Sequence, residues 1–520
     1  MALTDEQATL EDITFPRREK AGIVLGLDVP GMISIFVCLV LMIVVVIALP
    51  FPWGLVIALL LLGPAILLGW GRHKGRRIFG WERLIRTHWL RQLTRQNLYA
   101  RPAPVADAGA EARMEKKAEQ MDEKAEREAL EWEEPVPGKT PKPTHLHLPG
   151  GANELKAYET AGGYGLVHDP ARKRVVVTAR MNTRSSYTLQ DDSQQAAILD
   201  DWGNLLAVVC QNPAVVGAVG TDVTTVTTGE QMQEFYRSSA RAAGAGDALN
   251  PVAHQGYLDL LAESDMTHHP QYLTISLSIP MLKTEIKHHG SGMNGLLGAV
   301  EARMVALEKD IEDNNFHVDH WVRCEDRAGL LHDMFSPSPM GVVDGLQVTH
   351  GGPVGARRYW DKLRADAHWH RAFVIEEWPL KPTRPGFLEK VILDLKFRHA
   401  VSVVHKAGDD EAAMRQVNRQ IQDTQMQHSV SERSGRRVSL EMTREFQDHL
   451  DREEELVSGA TDMQFRGFIS ITADSEDDLD RYSSQLRSAA ARAHLKVEPC
   501  YGQQFEGFLA ATGLLGFGID

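Results

Sequence analysis

At 520 residues the chain is long enough for several folded units, and 43% hydrophobic with 24% charged residues is ordinary for a globular protein. A mean hydropathy of −0.26 excludes a chain embedded in a membrane over most of its mass. The net charge of −14 works against a general nucleic-acid binder, and four widely separated cysteines (Cys38, Cys210, Cys324, Cys500) lack metal-ligand or redox spacing and suit a reducing compartment.

In chain order, residues 1–28 read as a cytoplasmic N-terminal tail. Ile33 to Leu49 is apolar except for Ser34, with Val29 to Met32 able to extend it, and Leu55 to Leu68 forms a second apolar run. Pro50-Phe51-Pro52-Trp53 lies between them, and its two prolines stop a helix and allow a tight reversal. A bilayer core takes about 20 helical residues. The expectation is a transmembrane helical hairpin over residues 29–70. A buried hairpin in a soluble core and a cleaved signal peptide fit less well, because the runs are uninterrupted, late and doubled.

Between Gly71 and Arg101 lie nine basic residues (Arg72, Lys74, Arg76, Arg77, Arg83, Arg86, Arg91, Arg95 and Arg101) against one acid, Glu82. With Arg17, Arg18 and Lys20 on the other flank, this bias puts both termini in the cytoplasm of a multi-pass inner-membrane (plasma-membrane) protein. Trp81, Leu84, Ile85, Trp89 and Leu93 recur at helical spacing, so residues 71–101 are expected to form an amphipathic helix whose arginines (residues 72–101) meet anionic lipid headgroups. Removing the +8 of this stretch leaves −22 elsewhere, which argues against direct nucleic-acid contact.

Residues 102–144 read as a charged, then Pro-rich, linker. Met114, Ala118, Met121 and Ala125 make a thin heptad-like stripe. Gly138-Lys139-Thr140 imitates a phosphate loop, but Glu133 stands where the earlier glycine belongs and Pro141 and Pro143 oppose a following helix. Beyond it, strand and helix patterns alternate through two units, 145–350 and 351–520. Strands are expected at Arg174–Ala179, Ser186–Leu189, Ala214–Val226, Gln271–Ile279, Arg371–Trp378, His399–Val404, Phe465–Ala473 and Leu495–Pro499. Helices are expected at Gln194–Cys210, Gly292–Ile311, Gly386–Leu395, Asp410–Gln427, Ser439–Leu456 and Ser475–Ala493. The fold class so read is α+β: a transmembrane hairpin plus a cytoplasmic mixed α/β region with ferredoxin-like β-α-β elements. The repeated strand-then-charged-helix layout hints at duplication, without a clean sequence repeat.

No complete phosphate loop, dinucleotide fingerprint, nucleophile elbow, zinc-protease helix or paired-cysteine motif occurs. His268-His269 and His288-His289 are adjacent pairs that loop roles explain more simply than metal ligation, and His368 with His370 alternates on one side of a strand entry, a weak metal signal. Acidic clusters at Glu453–Glu455 and Asp474–Asp480 read as solvated faces, the second also opening a helix. No catalytic, cofactor-binding or metal residue is assigned, and the chain is expected not to be an enzyme.

Glu377-Trp378-Pro379, Arg384-Pro385-Gly386-Phe387-Leu388 and Phe465-Arg466-Gly467-Phe468-Ile469-Ser470-Ile471-Thr472-Ala473, in that order, resemble the N-terminal domain of type IV secretion ATPases. Tyr501-Gly502-Gln503-Gln504-Phe505 resembles the hand-over to that family's motor, which this chain lacks. With the PrgI-like hairpin, Tyr164-Gly165-Leu166-Val167-His168-Asp169-Pro170, Ser186-Tyr187-Thr188-Leu189, Gln194 and Trp202-Gly203, the whole resembles an actinobacterial membrane-protein family of conjugative, type IV-like secretion systems. The resemblance implies a non-catalytic inner-membrane scaffold that docks a separate cytoplasmic ATPase and other membrane subunits, with a homo-oligomer among the expected partners. A type VII secretion core subunit and a DNA-handling conjugation adaptor are the alternatives.

Overall fold

The computed structural model describes residues 29–48, 72–73, 76–101, 143–182, 190–227, 229–242, 251–262, 266–337, 346–379, 386–408, 410–433 and 463–519, with a few single positions elsewhere. The N-terminal part holds α1 (Val29–Ala48), the short ladder β1 (Arg72–His73) with β2 (Arg76–Arg77), α2 (Ile78–Leu93), β3 (Leu98–Ala100) and β4 (Thr144–His145). Then come β5 (Lys156–Glu159), β6 (Gly165–Asp169), β7 (Arg174–Asn182), α3 (Asp192–Gln211), β8 (Val215–Thr227), α4 (Gly229–Ala242), α5 (Pro251–Ala262) and β9 (Met266–His268). They are followed by β10 (Gln271–Ser278), α6 (Lys283–His288), α7 (Gly292–Asp313), β11 (His317–Trp321) and α8 (Cys324–Phe335). The remainder is β12 (Gly355–Arg358), β13 (Leu363–Ala365), β14 (His368–Glu377), α9 (Glu389–Ile392), β15 (His399–Ala407) and α10 (Asp410–Arg433). It closes with β16 (Met463–Ala473), α11 (Glu476–Arg492), β17 (Lys496–Pro499) and α12 (Gln504–Thr512).

Local chemistry explains the best-marked boundaries. Asp191 caps α3 by accepting from the Gln194 amide at 2.9 Å, and Ser475 caps α11 by accepting from the Asp478 amide at 3.1 Å. Glu476, Asp477 and Asp478 sit in the first turn of α11, where carboxylates favour the helix N-terminus.

Except for the β1–β2 ladder, every strand joins one large open sheet. Its path is β3-β12-β13-β14-β16-β15-β8-β10-β7-β6-β5-β4, with β11 on β7, β17 on β14 and β9 on β8. The order hides a duplication. In chain order β7-α3-β8-β10-α7-β11 is a β-α-β-β-α-β unit whose strands lie as β11-β7-β10-β8. The chain β14-α9-β15-β16-α11-β17 repeats it, lying as β17-β14-β16-β15. Both have the fourth-first-third-second order of a split β-α-β unit. Each is preceded by a two-strand meander (β5-β6 and β12-β13) and followed by a helix (α8 and α12). The repeats join where their second strands pair antiparallel, Ser402 opposite Thr221 near the middle of that ladder.

Three cores follow from this layout. α3, α6 and α7 cover one face of the first repeat, and α9 with α11 covers the same face of the second. The opposite face is shared: α8, α12 and Leu514, Leu515, Phe517 and Ile519 bury residues from both repeats. On that side Thr178 and Thr274 bond each other at 2.9 Å. The chain after α12 crosses the hydroxyl-rich strands so closely that a Cβ at Gly513 or Gly516, both at positive φ, would collide with Thr221 or Ser276. Arg327 on α8 is fully buried and ties this layer together, donating to Thr178 Oγ1 at 2.8 Å and to the carbonyl oxygens of Leu514 at 2.6 Å and Gly165 at 3.3 Å. The sheet curls enough for Tyr99 of β3 to donate to the carbonyl of His147 just beyond β4, at 2.5 Å, although β3 and β4 do not pair.

The membrane expectation is corrected. Among the described residues no helix is long and apolar enough to cross a membrane. The first apolar run forms α1, Val29–Ala48. The second run, Leu55 to Leu68, lies outside the described residues, as do the Gly138–Thr140 segment and the strand expected at Ser186–Leu189. The transmembrane hairpin and the multi-pass inner-membrane topology therefore do not stand, and the fold class becomes a large open α/β sheet flanked by helices.

Candidate functional site

The most distinctive surface is α2, because it exposes apolar side chains while being held firmly to the sheet. Its pattern divides between two faces. Trp81, Leu84, His88 and Arg91 turn toward the second repeat. The Trp81 ring lies 5.9 Å from Trp360 and 5.4 Å from Tyr501, and His88 meets Trp360 edge-on at 5.1 Å. Arg91 pairs with Glu506 at 3.1 Å and donates to the Gly502 carbonyl at 3.3 Å. Glu506 Oε1 also takes Arg358 at 3.3 Å, whose guanidinium lies 4.6 Å from the Phe505 ring. One carboxylate thus joins α2, β12 and α12. Burial, more than the nearby Arg91, lowers the His88 pKa, so the ring is neutral at pH 7 in the aromatic cluster. Burial also lowers the Arg358 pKa; Glu506 opposes that shift and Arg91 adds to it.

The other face points outward. Ile85, Trp89 and Leu93 recur every fourth residue and are 55%, 58% and 61% exposed. Arg83, Arg86 and Arg95 are exposed on the same segment, Arg86 facing Glu82 at 3.7 Å across one helical turn. The sequence pattern therefore mixes two functions: Trp81 and Leu84 serve the dock, while Ile85, Trp89 and Leu93 remain free of it.

Other residues singled out in the sequence fall elsewhere. His370 is fully buried on β14, 3.0 Å from Thr472 Oγ1 and 3.1 Å from the Phe335 carbonyl; burial pushes its pKa down to about 3. His368 pairs with Asp474 at 3.4 Å. His269 lies 3.3 Å from Asp222 and 3.1 Å from Thr224, and Thr224 in turn lies 3.2 Å from buried His399. Among the described residues no group of three or more His, Cys, Asp or Glu side chains is placed to hold a metal. Burial raises the Cys210 and Cys324 thiols to about 11, which keeps them protonated and unreactive.

The residues that carried the family resemblance have packing roles. Trp378 meets Phe387 at 6.2 Å and Phe465 at 5.1 Å, both edge-on, beside the second-repeat core. Gly386 takes φ +82° to make the turn that brings Phe387 there. Tyr501 and Phe505 belong to the α2 dock and the shared core, not to a hand-over segment. The dock itself was not legible in the sequence, since Trp360, Tyr501 and Glu506 lie hundreds of positions from α2 and share no local pattern with it.

The sequence matches no protein-family model and no curated protein. The assignment to a conjugative, type IV-like secretion family is thereby overturned. With it go the inner-membrane scaffold that docks a secretion ATPase and its type VII alternative, whose membrane-crossing helices are also missing among the described residues, and the conjugation adaptor, which rested on the same resemblance.

Proposed function

We propose that this chain is a non-catalytic attachment module that holds its two-repeat sheet against an anionic lipid surface through the exposed face of α2. The observation that carries this reading is the Ile85-Trp89-Leu93 stripe, flanked by exposed arginines on a helix whose opposite face is already committed to the protein. Such a stripe lies in the headgroup layer with apolar groups down and cations beside lipid phosphates. A non-catalytic role accords with the placement of the strongly shifted histidines His168 and His370 inside the sheet layers, out of reach of a substrate.

The test is flotation of the full chain with vesicles of phosphatidylcholine alone or mixed with phosphatidylglycerol. Binding should need the anionic lipid and weaken with salt. Ile85→Ser with Trp89→Ser should lower it by at least about tenfold, since one buried large apolar side chain is worth about 1.5–3 kcal/mol. Equal binding to neutral vesicles, or full binding by the double variant, rejects the reading. A stripe used instead between two copies of the chain would show as a dimer that the same substitutions dissolve without lipid.

A further inference from the structure

We infer that Arg357 and Arg364 form a phosphate-binding site on the outer face of the sheet, separate from α2 and independent of the reading above. The β12–β13 register sets these two arginines directly opposite each other. Ala356, Leu363 and Ala365 turn into the shared core, so Arg357 and Arg364 point the other way and are exposed. The row continues across neighbouring strands: Leu98 of β3 stands opposite Arg357, and Trp369 of β14 stands opposite Arg364. Like charges directly opposite on antiparallel strands destabilise a sheet. Among the described residues neither arginine has an ion-pair partner, although carboxylates are close by. Glu476 is taken by Lys362, and Asp361 by Arg371 at 3.2 Å.

Aromatic rings support each cation singly. The Arg357 guanidinium lies 5.1 Å from the Tyr359 ring and that of Arg364 lies 5.4 Å from the Trp369 ring. Lys362 Nζ is 5.8 Å from Tyr359 and 5.4 Å from Trp369, its charge matched by Glu476. These contacts hold the side chains in place but leave the mutual repulsion of the pair uncompensated. Side chains opposite on antiparallel strands start about 5 Å apart, so both guanidinium forks can close on one tetrahedral anion. Arginine's fixed fork suits the oxygens of a phosphoryl group. The ligand chemistry is therefore a phosphate ester carried by a larger molecule, met at the surface and not swallowed in a cavity.

Thermal unfolding of the full chain in pyrophosphate, against sodium chloride of equal ionic strength, tests this. Pyrophosphate well above its dissociation constant should raise the midpoint by a few degrees over the chloride control. Arg357→Gln with Arg364→Gln should abolish the rise while leaving the chloride midpoint unchanged or higher. Arg364→Glu, which converts the like-charge pair into an opposite one, should raise the chloride midpoint and also lose the response. No rise in the native chain, a rise kept by the double variant, or an equal rise in chloride overturns the proposal. Where the site is upheld, calorimetric competition identifies its source. Displacement of pyrophosphate by phosphatidylglycerol vesicles indicates lipid headgroups, and displacement by a thymidine oligonucleotide indicates a nucleic-acid backbone.

Discussion

Three histidines show how strongly this sheet desolvates what it buries. Burial pulls His370 to a pKa of about 3 and His168 and His405 to about 4, against an ordinary value of 6.5. Both ring nitrogens of His168 lie without a hydrogen bond, and burial together with the Lys156 charge outweighs the opposing pull of Asp169, so the ring stays uncharged. All three are neutral in the folded state above their lowered values. Unfolding frees them to bind protons as pH falls below 6.5, and the unfolded state then binds more protons than the native one. Stability should therefore be unaffected by these groups above pH 7 and fall as pH drops from about 6.5 toward 4. The slope from three groups reaches about 4 kcal/mol per pH unit in the middle of that window. Urea midpoints measured from pH 7.5 to 4.5 check this, and His370→Gln should flatten the profile. A flat profile in the native chain would contradict neutral burial.

At the scale of elements, the α2 dock combines two kinds of contact with different weights. Arg91 and Glu506 are each about a third exposed, so their ion pair contributes no more than about 1 kcal/mol. Trp360 touches Trp81, His88 and Tyr501, and aromatic pairs contribute about 0.5–1.5 kcal/mol each beyond their buried area. Trp360→Ala should thus free α2 far more than Glu506→Gln. Amide hydrogen exchange over residues 78–93 measures the difference: a large acceleration is expected for the first variant and a small one for the second. The reverse order would show that charge and not ring packing holds the helix.

The whole molecule is governed by the core that both repeats share. Phe508 of α12 lies 4.9 Å from Phe335 of α8 and 4.8 Å from His370 of β14, so one side chain joins the helix after the first repeat to a strand of the second. Phe508→Ala should cost about 3–5 kcal/mol through lost burial and a residual cavity. Because the layer is common, the cost should shift a single urea transition seen alike by tryptophan fluorescence and far-ultraviolet circular dichroism. Two separated transitions would instead mark the repeats as independent units. Much of the local structure was legible beforehand. Period-two and helical patterns placed β10, β14, β15, β16, α3, α7 and α11 to within a few residues, because backbone periodicity and capping side chains act locally. In β10 the Thr and Ser positions marked a face that is buried beneath the C-terminal chain, not one open to water. The apolar runs were legible as composition, yet composition did not decide the membrane topology read from it. By itself the sequence determined which segments become strands and helices and where basic charge accumulates. Only the tertiary structure decided that two dissimilar stretches are one unit used twice, that α2 gives half its apolar face to Trp360 and Tyr501, and that Arg357 stands opposite Arg364. Those outcomes depend on strand register and on contacts across hundreds of residues, and no local pattern encodes either.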